Sequence, residues 1–73
     1  MREKELRIKA GEEYMTLNVL LKLAGIIDTG GMAKIYLMEN DVLVNGELEN
    51  RRGRKLYPGD IIKAEGQKFV IKK

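Results

Sequence analysis

Seventy-three residues without a single cysteine, histidine or serine exclude a disulfide framework, imidazole bases, serine and cysteine nucleophiles and the usual transition-metal sites. The length suits one domain over residues 1–73, near the lower limit at which a single core holds without staples. Hydrophobic residues at 44% and charged residues at 34% form a globular balance rather than a disordered one. No apolar run approaches the ~18 residues of a membrane span, and the Met-Arg-Glu-Lys-Glu start lacks a signal peptide's apolar stretch, so the expectation is a cytoplasmic protein with no membrane partner.

The net charge of +3 is unevenly distributed. Residues 1–13 and 14–50 carry net charges of 0 and −3, whereas residues 51–73 hold eight basic and two acidic side chains, a net +6. Positive potential therefore concentrates on the C-terminal third.

Leu6, Ile8 and Ala10 alternate with Arg7 and Lys9, the period of a half-buried strand that Gly11-Glu12-Glu13 ends. Thr16 is suited to cap a helix over about 17–24. Met15 before it can staple onto Leu20, and Leu17, Leu20, Leu21 and Ala24 form the apolar face. Gly25 supplies the left-handed stop. Asp28-Thr29 offers the cap of a second helix over about 30–39, with Ala33, Tyr36 and Leu37 inward and Asn40 taking the left-handed stop.

Val42-Leu43-Val44 reads as a strand, and Asn45-Gly46 before Glu47-Leu48-Glu49 is a strong hairpin signal. Tyr57-Pro58-Gly59-Asp60 is a turn, since proline presets φ and glycine accepts positive φ. Strands over Ile61 to Ala64 and Lys68 to Ile71 close the chain. The expected class is α+β: two short helices followed by a small, mostly antiparallel sheet.

Little remains for catalysis. Gly30-Gly31-Met32-Ala33-Lys34 lacks the glycine before lysine and the hydroxyl after it that a phosphate-binding Walker loop requires. Asp28, Glu39, Asp41, Glu47, Glu49 and Asp60 fall at helix ends, turns and strand edges, where acids are ordinary. The chain is expected to be no enzyme, with no cofactor, metal or small-molecule substrate.

Binding is better supplied. Arg51-Arg52-Gly53-Arg54-Lys55 places four cations on a loop, and arginine's planar, permanently charged fork grips phosphate or stacks on a base. Contact of this cluster and Lys34 with ~4–5 phosphates would give a log affinity–log salt slope of about −3 to −4. Gly30 and Gly31 leave backbone N–H groups approachable at the start of the second helix, one turn before Lys34, and an anion could dock there. The competing reading is that these glycines permit a sharp turn or close helix packing. Tyr36 and Tyr57 could stack on bases, although such tyrosines more often sit half in the core.

Thr29-Gly30-Gly31-Met32-Ala33-Lys34, Leu37, Val42 to Glu47 and Gly59-Asp60, in this order and spacing, resemble the S-four RNA-binding domain. Asn50 to Leu56 resembles its short, stand-alone bacterial branch, the YaaA type. The resemblance covers about residues 14–64. It implies an RNA-binding role in which two helices and a hairpin form the contact surface, called the αL motif. Thr29 and Lys34 match the helix-start hydroxyl and basic helix position, and Arg51, Arg52, Arg54 and Lys55 match the basic run. Gly30 stands where many members carry a basic residue, which shifts weight to the arginine loop.

The expectation is a non-catalytic module for structured RNA, read through phosphates and shape, with ribosomal RNA or a ribosome-assembly particle as candidate targets. The candidate site residues are Thr29, Gly30, Gly31, Lys34, Arg51, Arg52, Arg54 and Lys55. A protein-interaction adaptor gripping an acidic partner through the basic loop, and a duplex-DNA binder, are the alternatives.

Overall fold

The computed structural model describes residues 2–73. Their order is β1 (Arg2–Arg7), β2 (Met15–Thr16), α1 (Leu17–Leu23), α2 (Met32–Glu39), β3 (Leu43–Val44), β4 (Glu47–Leu48), β5 (Lys55–Leu56), β6 (Ile61–Ala64) and β7 (Gln67–Lys72). The architecture is α+β, with two helices and a mostly antiparallel sheet. Five strands form that sheet in the order β1-β7-β6-β3-β4, and β2 and β5 make a separate two-stranded ribbon. No helix among the described residues is long and apolar enough to cross a membrane.

The core joins both helices to the sheet. Leu17, Leu20 and Leu21 of α1, Ala33 and Leu37 of α2, and Val42, Val44, Leu56, Ile62, Phe69 and Ile71 are buried together. Phe69 is the largest fully buried side chain, and packing of this kind supplies most of the stability of a domain without staples. The outer face of α2 leaves Met32, Ile35 and Met38 exposed.

Helix α1 starts and stops where the sequence indicates. Thr16 is extended and its hydroxyl accepts from the Val19 N–H at 3.4 Å, and Gly25 takes a φ of +75° beyond the last turn. Helix α2 departs from expectation at both ends. It begins at Met32, capped by Gly31 with no side-chain hydrogen bond, so neither Asp28 nor Thr29 caps it through its side chain. The Met32 and Ala33 amides instead donate to the carbonyls of Thr29 and Gly30, three residues back, in a tight 3₁₀-type turn. At the far end Asn40 is extended, with φ −134°, not left-handed. The chain runs directly from it into β3, and Asn40 closes the helix by donating its backbone N–H and Nδ2 to the Tyr36 carbonyl.

The hairpin turn has the expected geometry, with φ +52° at Asn45 and +86° at Gly46, as a type I′ turn requires. Asn45 also ties this hairpin to the next strand. Its Oδ1 accepts from the Ile61 N–H at 2.9 Å and its Nδ2 donates to Asp60 at 3.1 Å.

The first strand differs most from its expected place. It covers Arg2–Arg7 and pairs in parallel with β7, with the Ile8 N–H donating to the Lys72 carbonyl at 2.8 Å. Glu3, Lys4 and Glu5 are exposed, so a long-range backbone partner makes this strand. Charges on its open edge discourage further pairing.

Candidate nucleic-acid interface

The basic segment does not lie along the main sheet. Strand β5 pairs antiparallel with β2, Met15 opposite Leu56 and Thr16 opposite Lys55. The Leu17 and Asn18 N–H groups then donate to the carbonyls of Arg54 and Arg52, each at 2.9 Å. The first turn of α1, whose amides have no partner within the helix, is thereby stitched to the arginine loop.

Asn18 also reaches the start of α2. A Cβ placed on Gly30 would lie 3.1 Å from Asn18 Nδ2, whereas one on Gly31 would meet nothing closer than the Thr29 Oγ1 at 3.9 Å. Gly30 therefore has a packing reason to be glycine, and neither glycine has positive φ. The arginine loop and the start of α2 thus meet at the first turn of α1, the one through the Leu17 and Asn18 backbone and the other through the Asn18 side chain. Thr29, Gly31 and Lys34 are exposed on the α2 side, with Gly30 half-buried.

The four cations are not equivalent. Glu49, only 7% exposed, is the one buried charged residue among the described residues. Its carboxylate accepts from Arg51 Nε at 3.0 Å, Arg51 Nη2 at 3.1 Å, the Arg51 backbone N–H at 3.1 Å and Arg54 Nη1 at 2.6 Å. These bonds, chiefly the Arg51 side chain's, overcome the cost of burial and hold the carboxyl at about 2, well below its ordinary 4.5. The same contact raises the Arg51 guanidinium further.

This is a correction to the reading of Glu49 as an ordinary strand-edge acid and of the loop as four free charges. One carboxylate neutralises part of the Arg51 and Arg54 charge, and the segment from Glu49 to Lys55 retains a net +3. It also fixes geometry: Glu49 occupies the Nε–Nη2 edge of Arg51, whose side chain remains 72% exposed, while the Arg54 side chain is 34% exposed. Among the described residues, Arg52, Lys55 and Lys34 have no carboxylate partner. Alternation gives no hint of an inward Glu49: it groups Glu49 with the exposed Glu47, and Glu49 is buried only because the loop turns back to supply its partners.

Aromatic residues complete this face. Lys55 Nζ lies 5.0 Å from the centroid of the Tyr14 ring, and Tyr14 meets Tyr57 at 5.9 Å between centroids with a 52° tilt. Tyr57 remains 46% exposed. Tyr36 is elsewhere: half-buried, it donates its hydroxyl to Glu65 at 2.7 Å, and burial followed by that hydrogen bond raises its pKa. Sequence inspection missed Tyr14 because its partners lie about forty positions away.

Two comparisons bear on this arrangement. A profile of the S4 domain matches residues 8–72. The chain is also 56% identical over 59 residues to the probable ribosome maturation protein RlbA of Bacillus subtilis (strain 168), an overlap spanning 81% of this chain and 83% of that protein. A match that takes in both helices, the hairpin and the arginine loop after it makes this chain a member of the S4 domain family.

Proposed function

We propose that this chain is a non-catalytic RNA-binding module that recognises structured RNA through phosphates and shape, with ribosomal RNA or a ribosome-assembly particle in the cytoplasm as its target. The observation that carries the reading is the arginine loop. It presents permanently ionised forks held by a buried carboxylate, beside Arg52 and Lys55, which have no carboxylate partner among the described residues. A preorganised cation loses less conformational freedom on meeting phosphate than a mobile one. The resemblance to a ribosome maturation protein supports the ribosomal setting.

In this reading Arg51, Arg52, Arg54 and Lys55 contact sugar-phosphate backbone on one side of Asn18. Thr29, Gly30, Gly31 and Lys34 contact it on the other. The test compares an RNA hairpin with a DNA hairpin of matched sequence across a salt series. Stronger RNA binding with a slope of about −3 to −4 is expected. Equal affinities would favour the duplex-DNA alternative, and no binding to either hairpin at low salt would favour the adaptor.

Charge reversal must respect the carboxylate. Glutamate at position 51 or 54 would face buried Glu49, so lost binding could reflect lost folding. Arg52→Glu and Lys34→Glu test the surface without that ambiguity.

A further inference from the structure

We propose that the hollow between the arginine loop and Tyr57 receives one unpaired nucleotide of the bound RNA, its base on the tyrosine ring and its phosphate on Arg51. This rests on the RNA-binding reading and adds to it a subsite and a feature of the RNA.

The hollow is a shallow cleft of ~450 Å³ lined by Arg51, Gly53, Arg54, Lys55 and Tyr57. Its volume falls within the ~300–1,000 Å³ of ligand-sized clefts. Three cations and an exposed aromatic side chain wall one opening, and Gly53 has open space where a side chain would project. A phosphate alone would leave the tyrosine ring unused, whereas a nucleotide matches both chemistries.

The walls are braced before any ligand arrives. Tyr57 makes a tilted ring contact with Tyr14, and its backbone N–H donates to Asp60 at 2.8 Å. Lys55 is placed over the Tyr14 ring, where a cation is attracted by the ring's electron-rich face. Arg51 is gripped by Glu49 along its Nε–Nη2 edge, which leaves Nη1 and the exposed guanidinium plane to meet a phosphate or flank a base. A base stacked within a continuous duplex presents no free face to Tyr57, so the ligand is a bulged or looped-out nucleotide in otherwise structured RNA.

The experiment uses the full chain and two RNA hairpins, one fully paired and one carrying a single extrahelical 2-aminopurine. Both are titrated by fluorescence anisotropy, with the 2-aminopurine emission as a stacking signal. The wild type is expected to bind the bulged hairpin roughly 5- to 150-fold more tightly, the range for one stacked base, and to quench its emission. Tyr57→Phe keeps this preference. Tyr57→Ala abolishes both the preference for the bulged hairpin and the quenching. Tyr57→Leu, which keeps apolar bulk against Tyr14, gives the same loss if the alanine variant does not fold.

Equal wild-type affinities for the two hairpins, or a preference that survives in Tyr57→Leu, would overturn the subsite and leave the RNA-binding reading intact. Failure to bind either hairpin at low salt would overturn both.

Discussion

Replacing Glu49 with glutamine tests how the arginine loop is held. The substitution keeps the shape of a side chain that is only 6% exposed, but it removes the charge and puts an amide donor where the carboxylate accepted from Arg51 and Arg54. A carboxyl held at about 2 against an ordinary 4.5 corresponds to at most ~3.4 kcal/mol of preference for the charged form, at ~1.36 kcal/mol per pH unit. Water around Arg51, 72% exposed, screens the pair and reduces the expected loss to about 1–2 kcal/mol. For a domain of this size that lowers Tm by roughly 4–16 °C.

Because the folded-state value lies below the unfolded one, this contribution is fully present above pH 4.5 and is lost as pH falls towards 2. Urea denaturation of wild type and Glu49→Gln, at pH 7 and again at pH 2, therefore gives two differences to compare. The gap should be about 1–2 kcal/mol at pH 7 and should shrink to a small fraction of that at pH 2, where the folded-state carboxyl is about half protonated and the unfolded one fully so. A gap below ~0.5 kcal/mol at neutral pH, or one that persists unchanged in acid, would refute the account of Glu49 as the anchor of the loop.

Further outcomes follow from the same geometry. Arg52→Glu and Lys34→Glu should each weaken hairpin RNA binding and make the salt slope shallower by about 0.7–0.9 per lost phosphate contact, with thermal melting largely unchanged because neither cation has a carboxylate partner among the described residues. Asn45→Ala should cost about 1–2 kcal/mol in urea denaturation, chiefly because it puts alanine at a φ of +52°, while water can replace the lost acceptor of the exposed Ile61 N–H. Gly30→Ala should destabilise by up to ~1 kcal/mol in the wild type and not at all in an Asn18→Ala background, because the crowding atom is Asn18 Nδ2. Tyr36→Phe should remove the latest component of the spectrophotometric phenol titration, since burial and Glu65 raise that pKa. The stability it represents is lost only as pH rises beyond the ordinary 10.0.

Local signals were legible wherever one residue's own chemistry sufficed. Thr16 caps α1, Gly25 ends it, Asn45-Gly46 turns the hairpin and Gly59 takes the positive φ of its turn, all as expected. The errors came where a distant segment decides. The first strand is shifted because β7 fixes it, and Asn40 is extended because the chain must enter β3 directly. Thr29 does not cap α2 through its side chain, because backbone bonds in the glycine turn take that role.

The amino-acid order by itself determined the α+β class, the two helices, the hairpin and the concentration of positive charge after residue 50, because periodicity, turn chemistry and net charge are properties of neighbouring residues. Only the tertiary structure decided which of those charges are shared and which are unpaired. A carboxylate buried at Glu49, an amide at Asn18 between two helix starts and a tyrosine pair drawn from distant segments exist only once the chain has closed on itself. Contacts between residues far apart in sequence leave no local pattern, yet they orient the arginine forks and give the loop its shape.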